Sequence, residues 1–205
     1  LDIYEKAVTL FSNDAVFVEK MQPFILRAIY ATNDKSRIVK KLDELMGLGY
    51  KNAVIGSICS RATLKFGVEF DNPFCNDPIN YVLEKSILKH CDFEKFFINP
   101  ASEVLGFEKA SKRKQPLLIK GIQTAGNLFS TEPHFAEVVQ KIIRIELEKY
   151  FEKFKDSSEG LILGWPQAYS LYGWLVSMKN GGAIRPHMHE SGWMSGSIYI
   201  NVPQS

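Results

Sequence analysis

The spacing of apolar residues changes period partway along the chain, and this limits the fold more than any single motif does. Up to about residue 94 they recur three and four positions apart, the period of one helix face; beyond it they fall into short runs and alternations that suit strands. Helices first and strands after make an α+β protein. We therefore expect helical hairpins over 1–94 and a β-containing domain over 95–205.

In the first part, Ile3, Ala7, Leu10 and Phe11 form a stripe, and Asn13-Asp14 can end that helix and cap the next. Val16 to Tyr30 stays apolar on one face, with Pro23 as an expected kink or boundary. Asn33-Asp34 caps a helix along Ile38, Leu42, Leu45 and Met46, closed by Gly47 and Gly49. Asn52 to Phe66 carries another, through Val54, Ile55, Ile58, Ala62 and Leu64. Asp71-Asn72-Pro73 and Asn76-Asp77-Pro78 are turn signals, and Pro78 is expected to start a helix through Val82, Leu83, Ile87 and His90. Short helices in succession resemble tetratricopeptide-like hairpins, though without a clean period. Such a region supports a neighbouring domain or offers a surface to a protein partner.

In the second part, Phe97-Ile98 and Leu117-Leu118-Ile119 are of strand length, the latter leading into Gly121-Ile122-Gln123-Thr124. Ser130-Thr131-Glu132-Pro133 opens a helix with the stripe Phe135, Val138, Val139, Ile142, Ile143, Leu147, Tyr150, Phe151 and Phe154, a pattern expected to lie on a sheet. Leu161-Ile162-Leu163, Ser170 to Met178 and Ser195 to Val202 read as strands, with Asn180-Gly181-Gly182 as a tight turn and Pro203 as a stop. The basic run Lys109 to Lys114 reads as a solvated linker.

Charge excludes some partners. With 25 basic and 23 acidic residues the net charge is +2, which gives no reason to expect nucleic acid or an anionic membrane surface. No apolar stretch approaches the ~20 residues that span a bilayer, and Asp2, Glu5 and Lys6 interrupt the N-terminus where a secretory signal would be apolar. Cys59, Cys75 and Cys91 are odd in number and fit no metal-binding spacing, so we expect free thiols and a cytoplasmic location. Position 1 is Leu rather than Met, which suggests a fragment.

The histidines carry the chemical signal. Of His90, His134, His187 and His189, the last two stand one residue apart, after a Gly-Gly turn and Pro186. Alternate residues of a strand share a face, so two imidazoles at that spacing can converge on one ion, with Glu190 beside them as a candidate carboxylate. Two histidines and a carboxylate are the ligand set of many ferrous oxygenases. His134 and His90 fall on expected helices, in a first and a last turn.

The stretch Gly181-Gly-Ala-Ile-Arg-Pro-His-Met-His-Glu-Ser-Gly-Trp-Met-Ser-Gly-Ser-Ile-Tyr-Ile-Asn-Val-Pro203 resembles a family of 2-oxoglutarate-Fe(II) oxygenases, often fused behind tetratricopeptide-like helices. The match runs through His187, His189, Ser195, Gly196, Tyr199 and Pro203, and the Trp174 strand and the 121–127 region are similar too. The resemblance implies a double-stranded β-helix (jelly roll) and Fe(II) with 2-oxoglutarate as cosubstrate. It makes His187 the first metal ligand and puts His189 where the carboxylate normally stands, leaving open whether Glu190 takes that place. Tyr199 and Ser195 become candidate cosubstrate-binding residues, and Trp174 and Trp193 pocket or core aromatics, with Trp193 as the candidate for a loop over the mouth. A distal histidine and a basic residue for the far carboxylate of 2-oxoglutarate are expected downstream of Pro203. The chain is thus expected to hold part of a jelly roll and not to turn over by itself. Two other readings stand beside this one. One is a helical protein-interaction module with a structural β domain; the other is a cupin-like metal protein that does not use 2-oxoglutarate. The substrate is not legible in the residues.

Overall fold

Short polar side chains set ahead of the apolar stripes decide where the helices begin. In the computed structural model, which describes residues 1–88, 91–106, 112, 113 and 115–202, the chain forms two compact units. The first comprises 1–82 together with 156–165 and 190–194; the second comprises 83–155, 166–189 and 195–205.

The first unit is built on α1 (Asp2–Leu10), α2 (Ala15–Ala31), α3 (Lys35–Gly47) and α4 (Ala53–Phe66). Asp14, Asp34 and Asn52 cap the last three, each accepting from the backbone N–H three residues on, at 2.9, 3.1 and 3.0 Å. Gly67, at φ +63°, ends α4 in the left-handed conformation. Leu26, Ile38, Leu42, Leu45 and Ile55 are wholly excluded from water, so α2, α3 and α4 meet along the expected stripes. Pro23 does not interrupt α2. Gln22, Ile25, Leu26 and Ile29 are buried on either side of it, and that burial holds the helix through the missing donor.

The expected helix from Pro78 is only a 3-10 turn, Pro78–Tyr81. Ile79, Val82, Leu83 and Leu88 are 76%, 69%, 42% and 63% exposed, so no buried face forms to stabilise a helix there; His90 lies outside the described residues. The loop before it is tightly fixed. Asn72 donates to the Gly56 carbonyl (2.9 Å) and to Ser60 Oγ (3.1 Å) of α4, and its Oδ1 accepts from the Phe74 and Cys75 amides. Leu161-Ile162-Leu163, expected as a strand, forms the helical turn α8 (Gly160–Leu163). Adjacent Leu161 and Ile162 are both buried, and a strand would send them to opposite faces.

In the second unit, the expected Phe97-Ile98 strand is instead a π-turn, Glu94–Ile98, that runs into α5 (Asn99–Gly106). The Asp92 carboxylate accepts from the Lys95 amide (3.0 Å) to start it, and Phe93 stacks on Phe97 one turn on, centroids 4.9 Å apart. The sheet contains β1 (Lys112–Arg113), β2 (Leu118–Thr124) and β3 (Val176–Ile184) in antiparallel order β1-β2-β3. Lys112 and Arg113 therefore belong to the sheet, against the linker expectation; 109–111 and 114 lie outside the described residues.

After β2 come α6 (Leu128–Thr131) and a π-turn, Phe135–Val139, continued by α7 (Gln140–Phe154). The buried cluster joins Phe97, Ala101, Val104, Leu128, Phe135, Val139 and Leu175. The amphipathic helix thus lies on the α5 segment and Leu175, where the sequence suggested a sheet. Asn180-Gly181-Gly182 does not reverse the chain. It bulges within β3, where Gly121 pairs with Met178 and Ile119 with Ala183, and the bulge puts Gly181 at φ +69° and Lys120 opposite it at φ +49°. Residues 170–175 lie outside β3, and 195–202 form no strand; Ile198, Tyr199 and Val202 are exposed there. Pro203 lies outside the described residues. The architecture is a mixture of helices with one small antiparallel sheet, as the α+β expectation required. None of the helices among the described residues is long and apolar enough to cross a membrane.

Candidate metal site

The strand β3 delivers the histidines. Its pairing with β2 continues one step past Ile184, where the Arg185 amide donates to the Leu117 carbonyl at 2.9 Å. The Arg185 carbonyl then meets His187 Nδ1 at 2.9 Å. A carbonyl can only accept, so Nδ1 carries the proton, and in the neutral ring Nε2 presents a bare lone pair. That Nε2 lies 3.1 Å from His189 Nε2, the rings inclined at 52° with centroids 5.0 Å apart.

Two lone pairs at this separation repel unless something positive stands between them. Either His189 Nε2 carries a proton and donates it to His187, or both nitrogens face a cation. An imidazole nitrogen sits about 2.1 Å from a bound transition metal, so two on adjacent corners of its coordination shell stand about 3 Å apart. The observed distance suits that arrangement. Ser195 accommodates either state. Its Oγ is 3.2 Å from His189 Nδ1, and a hydroxyl donates to a bare Nδ1 or accepts from a protonated one. Trp174 lies edge-on to the His189 ring, centroids 5.0 Å apart at 72°. Both histidines are exposed.

The other residues singled out in the sequence are placed as follows. The Glu190 carboxylate accepts from the Arg27 guanidinium, a contact inside the first unit. Trp193 belongs to that unit as well: its indole donates to the Leu161 carbonyl at 3.0 Å and stands edge-on to Phe74. Trp193 thus packs within the first unit, in keeping with the core role that the sequence allowed beside a place over a pocket. Tyr199 is 78% exposed. His134 Nε2 lies 3.0 Å from the Phe96 carbonyl, which accounts for it structurally. Among the described residues no third His, Cys, Asp or Glu joins the pair to make a metal-binding group of three. Cys59, Cys75 and Cys91 are free, as expected. Asn127 and Thr124 were not singled out individually, yet they fix the segment that carries Trp174. The Asn-Leu-Phe-Ser order after a strand could have marked Asn127 as a helix cap.

The chemistry and spacing of the two imidazoles would suit a metal that favours nitrogen ligands, which they would hold from one side. Residues 172–205 match the family model described as "Putative 2OG-Fe(II) oxygenase", and this stretch contains Trp174, both histidines, Ser195 and Tyr199. No curated protein and no solved structure matches the chain.

Proposed function

We propose that the chain carries the metal-ligating edge of a double-stranded β-helix oxygenase domain, serving hydroxylation of a substrate with Fe(II) and 2-oxoglutarate. The observation that carries this reading is the 3.1 Å approach of His187 Nε2 to His189 Nε2, inside the segment that matches the oxygenase family model. Iron with 2-oxoglutarate supplies the oxidative chemistry when bound. The chain's own part is to hold and orient.

The Arg185 carbonyl keeps the His187 proton on Nδ1, which reserves Nε2 for the metal, and Ser195 gives His189 Nδ1 a hydrogen-bond partner that leaves its Nε2 free of one. Because both rings are exposed, a metal held there would be accessible to cosubstrate and oxygen. On this reading Tyr199 is the candidate donor to 2-oxoglutarate, and Glu190 is the alternative to His189 as ligand. The helices of the first unit serve as support for this domain or as a surface for a protein partner.

The test is anaerobic titration with Fe(II), with and without 2-oxoglutarate, following the weak visible charge-transfer band and metal affinity by equilibrium dialysis. We expect binding that His187→Ala and His189→Ala each reduce at least ~10-fold, as loss of a ligand should. If Glu190→Gln reduces it as much while His189→Ala does not, Glu190 is the ligand in place of His189. Metal binding indifferent to 2-oxoglutarate would place the chain with cupin-like proteins. If wild type binds no metal, the histidines share a proton only, and the interaction-module reading takes over.

A further inference from the structure

Behind the His189 ring, residues 171–175 belong to no strand, yet they are fixed along their length by alternating hydrogen bonds to 124–128. The Leu171 carbonyl accepts from Asn127 Nδ2 (3.1 Å), and the Gly173 amide donates to Asn127 Oδ1 (3.0 Å). The Gly173 carbonyl accepts from the Leu128 amide (2.8 Å). The Leu175 amide donates to Thr124 Oγ1, and its carbonyl accepts from the Thr124 amide, both at 3.0 Å.

Two side chains thus do the work of a neighbouring strand. Asn127 is the centre of it, because the same amide also caps α6 through the Phe129 N–H (3.2 Å) and donates to Ser130 Oγ (3.2 Å). Only an Asn or Gln amide supplies two donors and a carbonyl acceptor together, and the short Asn stem suits a cap position. The consequence is directional. Leu175 enters the buried cluster, so its neighbour Trp174 faces the other way, where its ring meets His189. Gly173 brings this segment close to Phe129, since a Cβ there would stand 2.7 Å from Phe129 Cε2 and the ring would have to shift.

We propose that Asn127 is a positioning residue of the histidine pair, acting through Trp174 on the orientation of the His189 ring. The proposal rests on the metal-site reading for its functional meaning, and its geometry is tested apart from it. Truncating Asn127 releases 171–175 on one side, and Trp174 then loses its fixed place against the imidazole.

The experiment compares wild type with Asn127→Ala, Asn127→Asp and Trp174→Leu in the whole chain. The first measurement is the histidine ring NMR spectrum without metal; the second is titration with Co(II) alone. In Asn127→Ala and Trp174→Leu, the His189 Hε1 resonance should lose its indole ring-current shift, while that of His134, in the same unit, stays in place. Asn127→Asp keeps the acceptor and loses both donations, so it should fall between and remain folded. Co(II) affinity should drop about 10-fold in Trp174→Leu, the scale expected for a group next to a ligand, and in the same direction but less in Asn127→Ala, which acts through Trp174. The proposal is overturned if the Asn127 variants leave the His189 resonance where it is in wild type. A uniform shift that includes His134 in Asn127→Asp overturns it as well, since the role is then general to the fold. Failure of wild type to bind Co(II) sinks the metal reading instead, and the NMR comparison still decides the positioning.

Discussion

At Cys59 and Cys75, burial pushes each thiol from 9.0 up to about 11, aided by the negative charges of Asp43 and Glu159 respectively. The folded chain thus keeps protons that the unfolded chain would release. The resulting stability is fully present below about pH 9 and is lost as pH rises toward 11. It follows that at pH 8 iodoacetamide should label these two thiols only as fast as the chain opens, in contrast to their rapid labelling in denaturant. Mass spectrometry of timed samples decides it, and prompt alkylation of either in the native protein would contradict the burial. Residue identity sets the histidine site in the same local way. One carbonyl, two residues before His187, determines which of its nitrogens is bare.

Among the elements, α8 shows how a contact absent from local sequence selects a conformation. The Leu161 amide donates to the Phe74 carbonyl at 2.7 Å, and the Asn76 amide donates to the Glu159 carboxylate at 2.9 Å. Gly160 sits so close to the 73–74 backbone that a Cβ would stand 2.0 Å from the Pro73 carbonyl oxygen. Backbone cannot yield as a side chain does, so Gly160→Ala should cost about 1–3 kcal/mol, near the top of that range. At Gly47 a Cβ meets nothing within 4 Å, and Gly47→Ala should cause no comparable loss. Thermal melts of the two variants beside wild type check this; equal melting temperatures would refute the close approach. The β3 bulge makes a related point. Asn180-Gly181-Gly182 is a turn sequence, and here its freedom at positive φ serves a bulge because β2 offers one residue, Lys120, against four.

On the scale of the whole chain, neither unit is continuous in sequence. The first is completed by 156–165 and 190–194, which bring Leu161, Ile162 and Trp193 to the loop after α4. A fragment of residues 1–82 should therefore keep helical circular dichroism yet melt at lower temperature and less cooperatively than the full chain; an equally sharp and stable transition would show that the later segments add nothing. The parts whose cause is local were legible in the residues. Asp14, Asp34 and Asn52 with the stripes behind them placed α2, α3 and α4, the run through Leu118 to Thr124 placed β2, and the spacing of His187 and His189 marked the pair. The residues did not place elements whose cause is a distant partner. Phe97-Ile98 and Leu161-Ile162-Leu163 are strand-like runs that became helical because their burial partners lie in other segments. Ser195 to Val202 alternates like a strand but pairs with none. The folded chain alone brings Glu190 to Arg27 and binds Asn127 to the segment that holds Trp174 against His189, because hydrogen bonds across 163 and 46 residues leave no periodicity to read.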